Sequence, residues 1–134
     1  MSETLKFADG TTIPIIALYH PGAVNFMQAS RDQIVARIAE SATTSSVLEA
    51  LAFDAAKAAS IVHTYDQTST GADGKPVTTQ QTQEYDSYVF LHHLNYYYNA
   101  GDGTYEYELA LCAKTDAELQ NAALKSRLAA SLEG

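Results

Sequence analysis

Apolar and polar residues alternate along several segments of this chain, and Asp-Gly pairs lie between these segments. Leu5 and Phe7 flank a lysine ahead of Asp9-Gly10, and a mostly apolar run over residues 12–18 follows that pair. Alternation of this kind is typical of a strand with one buried face. Asp-Gly favours a tight hairpin turn, because glycine adopts positive φ freely and aspartate tolerates it. The pattern therefore predicts an N-terminal β-hairpin.

The pair Asp102-Gly103 separates the clearest two predicted strands, residues 85–98 and 105–113. The second strand carries a large apolar or aromatic side chain at every other position, namely Tyr105, Tyr107, Leu109 and Leu111. By the same alternation, the first strand is predicted to place Tyr88, Phe90, His92, Leu94 and Tyr96 on one face. Leu91 and His93 fall on the opposite face. Because each strand has an apolar face, this hairpin is predicted to form part of the core.

The middle pair, Asp73-Gly74, lies within a segment that is almost wholly polar, residues 66–84. One interpretation is a disordered loop, since this composition cannot form a core. The other is a protruding two-stranded arm with its turn at Asp73-Gly74, because threonine suits an exposed strand. The arm is the favoured interpretation, since predicted strands enter and leave the segment.

Residues 25–40 fit two different structures. A capping box beginning at Ser30 would start a helix with Ile34, Val35 and Ile38 on one face. The segment also alternates as a strand does, which places Ile34 and Ile38 on one face and Val35 on the other. Local propensity slightly favours the helix over the strand.

Two further helices are predicted from their start signals. Ser46 and Glu49 form a capping box ahead of an alanine-rich stretch that reaches about Ala59. A strand over residues 61–65 is predicted to follow this helix.

The last predicted element is a helix over residues 115–134. Thr115 is its predicted N-cap residue, and Glu118 stands at the N3 position. Leu124, Leu128 and Leu132 repeat every four residues. This stripe is expected either to dock on the sheet or to pair with a copy of itself.

These elements predict an α+β fold, with antiparallel β-hairpins packed with one or two helices, a protruding polar β-arm and a C-terminal amphipathic helix. The chain has 134 residues, of which 46% are apolar, so it is long enough for one domain with its own core. We assign residues 1–114 to a single domain that carries the arm at residues 66–84. The helix at residues 115–134 is assigned separately.

Charge and cysteine content narrow the functional classes. Sixteen acidic against eight basic residues give a net charge of −8, which disfavours direct binding to nucleic acid. Cys112 is the single cysteine, so no internal disulfide forms, which fits a reducing compartment. The N-terminus lacks a signal-peptide pattern, and the apolar run 13–19 is too short to span a bilayer. We therefore expect a soluble protein without a membrane partner.

No residue pattern in the sequence predicts catalysis. His92 and His93 are adjacent, so in a regular strand they would point to opposite faces and share a metal poorly. Cys112 lies in mid-strand and is interpreted as structural. Glu106 and Glu108 are interpreted as the solvated side of the hairpin. Phosphate-loop, nucleophile-elbow and zinc-protease motifs are absent from the sequence, so we expect no enzyme, no metal and no cofactor.

Tyrosine is the residue type that most favours an interaction surface here. Seven of the nine tyrosines lie between residues 85 and 107, and tyrosine combines apolar area with a hydroxyl group. With the arm tip and the C-terminal leucines, the candidate interface comprises Asp73, Gly74, Tyr96, Tyr97, Tyr98, Tyr105, Tyr107, Leu124, Leu128 and Leu132.

Two alternatives to a protein-protein interface stay open at this point. In the first, a sugar or peptide binds in a pocket on the tyrosine-rich sheet, lined by Tyr96, Tyr98, Tyr105 and Tyr107. In the second and weakest, the chain is a metal-dependent enzyme that uses His63, His92 or His93.

The chain also resembles small proteins of bacteriophage and prophage tail regions. The resemblance rests on residues 7–13 (FADGTTI), Arg31-Asp32 with the apolar run after it, 47–51 (VLEAL) ahead of Phe53, and the closing strand 109–111 with its following helix. It implies a non-enzymatic virion or tail-assembly component, present in the virion or in the host cytoplasm during assembly. In that family the Arg31 segment is a strand. Taken with the polar arm, the tyrosine-rich hairpin and the amphipathic C-terminal helix, the resemblance leads us to expect a homo-oligomer with other virion or tail proteins as partners. No catalytic residues carry over.

Overall fold

The computed structural model describes the backbone of residues 3–133 and the side chains of residues 3–131. This part of the chain contains eight strands: β1 Glu3–Lys6, β2 Thr12–Ile15, β3 Ala17–Phe26, β4 Ala29–Ala39, β5 Ser60–Thr70, β6 Pro76–Asp86, β7 Phe90–Asn99 and β8 Thr104–Cys112. The helices are α1 Ser45–Ala52, α2 Ala55–Ala58 and α3 Asp116–Glu133, with a short 3₁₀ turn at Glu40–Ala42. Among the described residues, no helix combines the length and the apolar character needed to cross a membrane.

The strands form two antiparallel four-stranded sheets, so the fold is α+β as predicted. The first sheet has the order β2-β1-β5-β6, and the second has the order β3-β4-β8-β7. Residues from both sheets and from α1 form one core. Its main members are Leu5, Phe7, Ile13, Ile15, Ile34, Ala36, Ile38, Leu48, Leu51, Ile61, Leu109 and Leu111. We call the side of the second sheet that carries Leu109 and Leu111 its inner face, and the opposite side its outer face.

The slight preference for a helix over residues 25–40 is wrong, because this segment contributes the strand β4. Ile34, Ala36 and Ile38 are buried on the inner face, opposite Leu111, Leu109 and Tyr107 of β8. β3 pairs with residues 29–37 on one side and β8 with residues 33–39 on the other, so the middle of the segment is paired on both sides. Two flanking strands thus override a small local helix preference.

The helix predicted from Ser46 to about Ala59 is two shorter helices. Thr44, not Ser46, is the first cap, since its hydroxyl oxygen accepts a hydrogen bond from the Val47 amide at 3.3 Å. Phe53 ends α1, and the Asp54 carboxylate then caps α2 by accepting from the Ala56 amide at 3.0 Å. A second competent cap residue in mid-segment therefore divides the alanine-rich stretch.

The polar segment around Asp73-Gly74 is a two-stranded arm, as favoured from the sequence, and not a loop. β5 and β6 pair without interruption from Ser60↔Asp86 to Thr70↔Pro76. β1 pairs with β5 only over residues 62–64, so no other described strand neighbours the distal half of the arm. Gly74 takes φ +76° at the turn, which a side chain would strain.

A β-bulge alters the faces predicted for the strand β7. Leu91 lies opposite Leu111, but His93 lies opposite Ala110, so His92 is the extra residue. Leu91 therefore joins Leu94 and Tyr96 on the inner face, whereas Phe90 lies on the outer face opposite Cys112. The predicted grouping of Phe90 and His92 with Leu94 is wrong, because one inserted residue reverses the alternation.

Candidate functional site

Four of the tyrosines singled out from the sequence lie together on the inner face, beyond the core leucines. Tyr96 is directly opposite Tyr107, and Tyr98 is directly opposite Tyr105. The Tyr96 and Tyr105 rings stack nearly parallel, with centroids 5.1 Å apart and planes inclined by 7°. The Tyr98 ring meets the Tyr105 ring edge-on at 5.1 Å. We call Tyr96, Tyr98, Tyr105 and Tyr107 the tyrosine cluster.

The tyrosine cluster is partly open to solvent. Tyr107 is buried, but Tyr96, Tyr98 and Tyr105 are 52%, 54% and 46% exposed. Partial desolvation and the nearby Glu40 carboxylate raise the pKa of Tyr96 to about 12, so its hydroxyl is neutral at physiological pH. Half-exposed aromatic rings that carry hydroxyl groups can bind an apolar or sugar-like surface and still form hydrogen bonds.

Tyr97 does not belong to this cluster, because it lies on the outer face opposite Glu106. Its hydroxyl donates a hydrogen bond of 2.8 Å to Glu106 Oε1. The Glu106 side chain is fully buried, so its interpretation as part of a solvated face is wrong. Arg37 binds both carboxylate oxygens at 2.9 Å, and Asn99 donates to Oε2 at 3.1 Å.

This buried carboxylate links all four strands of the second sheet. Arg37 belongs to β4, Tyr97 and Asn99 belong to β7, and Glu106 belongs to β8. Arg37 also donates to the Tyr19 hydroxyl of β3 at 3.2 Å. Burial alone would raise the pKa of Glu106, but hydrogen bonds from Tyr97, Arg37 and Asn99 outweigh it and lower that pKa. The group is therefore a charged structural crosslink, which no spacing in the sequence indicates.

A buried arginine, Arg31, attaches the start of α3 to the second sheet. Arg31 is 4% exposed, its guanidinium binds both oxygens of Glu118, and it lies 4.6 Å from the centre of the Phe90 ring. The predicted capping box is present, since the Glu118 amide donates to the Thr115 hydroxyl oxygen and the Thr115 amide donates to Glu118. Hydrogen bonds from Arg31 and then from the Thr115 backbone lower the pKa of Glu118 to about 2.

Beyond this attachment, α3 is not covered by the described chain. Every residue from 119 to 131 is exposed, including Leu124 at 46% and Leu128 at 55%. The expectation that the leucine stripe docks on the sheet is therefore wrong for these two residues. The side chain of Leu132 lies outside the described residues.

The remaining candidate residues have simpler surroundings. Asp73 and Gly74 lie at the tip of the arm, where the Asp73 carboxylate accepts from the Lys75 amide at 3.1 Å. Cys112 is fully buried, and burial raises the pKa of its thiol. Such a cysteine acts as a small apolar residue in the sheet.

His92 and His93 do not point to opposite faces as expected. The bulge brings their rings together, with the two Nδ1 atoms 2.7 Å apart. His93 also lies 2.9 Å from Glu108. Within residues 3–131, no three His, Cys, Asp or Glu side chains converge in a way that could hold a metal ion.

No protein-family model matches this chain, and comparison with curated proteins and with solved structures found no significant match.

Proposed function

We propose that this protein is a non-enzymatic structural component of a bacteriophage or prophage virion or of its tail assembly. It acts through protein-protein contacts with copies of itself and with other virion or tail proteins. The phage setting comes from the sequence resemblance, and the mode of action comes from the exposed elements of the fold.

The exposed helix α3 is the observation that carries this proposal. Helices in proteins gain most of their stability from packing an apolar side against a neighbour. Leu119, Leu124 and Leu128 are 42%, 46% and 55% exposed, and nothing in the described chain covers them. A helix that is held firmly at its first turn and left uncovered afterwards is suited to receive a partner.

The arm and the tyrosine cluster support the same function. The two strands of the arm carry almost no apolar surface, so the arm adds little to the core. Its outer strand β6 is a sheet edge with unpaired backbone groups, which other chains can recognise. The tyrosine cluster supplies the half-exposed aromatic area that protein interfaces favour.

Light scattering on the purified chain tests self-association. We expect an oligomer, and we expect Leu124→Glu combined with Leu128→Glu to shift it towards monomer. The control, Ala122→Glu with Ser126→Glu, introduces as many glutamates on the opposite side of the same helix and should leave the oligomer intact. A chain that stays monomeric at every concentration and binds no neighbouring tail protein would contradict the structural role.

Genome neighbourhood tests the phage setting separately. We expect tail or baseplate genes on both sides of the gene for this chain. If such genes are absent while the chain still assembles, the structural role stands and the phage setting is wrong.

Binding of a sugar or peptide at the tyrosine cluster is the second candidate function. The exposed parts of the Tyr96, Tyr98 and Tyr105 rings favour it, because exposed aromatic surface binds the apolar faces of sugars and peptide side chains. The direct measurement is the melting temperature of the protein in the presence of each sugar of a panel, since a ligand that binds the folded state raises that temperature. Tyr105→Ala should abolish this rise in melting temperature, and the control Tyr65→Ala, outside the cluster, should keep it. That result would mean that the ligand binds at the tyrosine cluster.

A further inference from the structure

A cleft between the two sheets is distinct from every surface described above. It has a volume of about 470 Å³ and is lined by Leu18, His20, His63, Tyr65, Gln83, Glu84, Tyr85 and Tyr88. This volume is within the range of ordinary small-ligand sites. We call it the inter-sheet cleft.

Aromatic rings dominate the wall of the inter-sheet cleft. The His63 and Tyr65 rings stack with centroids 4.9 Å apart. The Tyr85 ring meets both Tyr88 and His20 edge-on, at 5.5 Å and 6.0 Å. The faces of aromatic rings carry negative electrostatic potential, which attracts cations.

The charged groups at the cleft are mainly acidic. Glu84 lines it, and Asp32 lies behind it, where the Tyr88 hydroxyl donates to Asp32 and His20 Nε2 lies 2.5 Å from the same oxygen. Burial alone would raise the pKa of Asp32, but hydrogen bonds from Tyr88 and His20 lower it, so the carboxylate is ionised at neutral pH. None of the described residues that line the cleft is a lysine or an arginine.

Two buried polar atoms beside the cleft lack a partner among the described residues. They are His63 Nε2 and Glu3 Oε2, which are 3.8 Å apart, too far for a direct hydrogen bond. His63 is more than nine-tenths buried, at 8% exposure, and burial lowers its pKa, so its ring is neutral at neutral pH. A neutral imidazole nitrogen and a carboxylate oxygen can both accept from one donor nitrogen that lies beside the pair, within hydrogen-bond distance of each atom. Because both atoms have almost no contact with solvent, such a donor must displace part of the cleft wall to reach them.

We infer that the inter-sheet cleft binds an organic cation, an alkylguanidinium or alkylammonium group, with its head near Glu3 and His63 and its body among the tyrosine rings. Aromatic faces, carboxylates and unpaired acceptors all favour this chemistry. The group belongs either to a free small molecule or to an arginine or lysine side chain of another protein. Binding of small probes does not depend on whether the chain assembles, so this inference stands apart from the proposed function.

NMR titration with propylguanidinium tests the inference. Propylurea is the control probe, since it has the same shape without the charge. We expect propylguanidinium to shift the signals of His63, Tyr65 and Tyr85 in a saturable way and propylurea to leave them unchanged. Equal shifts from both probes, shifts that map outside the cleft, or no saturable shift in large excess of probe would overturn the proposal.

Two variants locate the cation within the cleft. Glu3→Gln keeps the size of the side chain and should weaken binding about fivefold or more. Tyr85→Leu should have a similar effect, because each variant removes one electrostatic attraction to the cation. Phe53→Leu, at an exposed aromatic residue outside both the cleft and the tyrosine cluster, is the control and should bind as the original chain does. Normal binding by both cleft variants, with their folds verified from the NMR spectra, would refute the assignment.

A blocked tripeptide with a central arginine separates the two sources. If it binds at least as tightly as propylguanidinium, the cleft receives a side chain of another protein. If only propylguanidinium binds, the cleft holds a free small cation.

Discussion

At the scale of single residues, one buried and one partly buried arginine determine much of the arrangement around the second sheet. Arg37 and Arg31 each bind both oxygens of one carboxylate, and each pair joins elements that are far apart in sequence. A planar guanidinium that binds two oxygens fixes geometry as well as charge. Of the two carboxylates, Glu106 is the more deeply buried, and it also accepts hydrogen bonds from Tyr97 and Asn99.

Glu106→Ala should be strongly destabilising, because it leaves Arg37 without its charge partner in a mostly buried position. We expect a loss of about 2–4 kcal/mol in the free energy of unfolding, measured by urea denaturation. Glu108→Ala, two residues along the same strand, removes a carboxylate that is 36% exposed and should cost less than about 1 kcal/mol. Similar losses in the two variants would show that the Glu106 network does not stabilise the sheet.

At the scale of elements, α3 and the arm depart from the usual pattern of amphipathic elements packed on a core. The first turn of α3 is attached by Glu118 to Arg31, while residues 119–131 are exposed. The arm keeps its pairing through backbone hydrogen bonds and one cross-strand contact between the Thr68 and Thr78 hydroxyl groups, 2.9 Å apart. Both elements therefore have defined starting points and free outer ends.

Glu118→Gln should loosen α3 and leave the sheets intact, since it weakens the attachment to Arg31. We expect lower heteronuclear NOE values over residues 119–131 and faster tryptic cleavage after Lys125 and Arg127. Asp116→Asn removes a carboxylate from the same helical turn without touching Arg31 and serves as the control. Unchanged NOE values in Glu118→Gln would mean that the ion pair does not hold the helix.

At the scale of the whole molecule, several titratable groups have pKa values that make the fold sensitive to acid. The pKa values of Asp32, Glu106 and Glu118 are lowered, so their ionised forms are favoured in the folded chain. Burial lowers the pKa of His63 below its ordinary value of 6.5, so its neutral form is favoured. In each case the unfolded chain binds protons more readily than the folded chain.

Stability should therefore fall as the pH falls. The His63 contribution is complete above about pH 6.5 and declines below it, and the carboxylate contributions decline as the pH drops below about 4.5. The urea midpoint, measured from pH 7 down to about pH 3, should decrease first below about pH 6.5 and then further below about pH 4.5. Glu106→Gln should flatten the steeper acidic part of the curve, whereas Glu108→Gln should not. A midpoint that stays constant or rises over this range would contradict the assignment.

The sequence by itself determined the elements whose signals are local. The hairpins at the Asp-Gly pairs, the capping box at Thr115 and the polar arm depend on turn geometry and on nearby side chains, so their residues were sufficient to predict them. The sequence also placed Tyr105 and Tyr107 on the same face of one strand by alternation alone.

Only the tertiary structure decided the features that depend on distant partners. Residues 29–39 form a strand because β3 and β8 pair with them, and Glu106 is buried because Arg37 and Tyr97 reach it from neighbouring strands. The bulge at His92 reversed a face, because alternation carries no signal for one extra residue. The inter-sheet cleft likewise joins side chains of β3, β5 and β6, and their proximity follows from how the two sheets pack and not from any spacing along the chain.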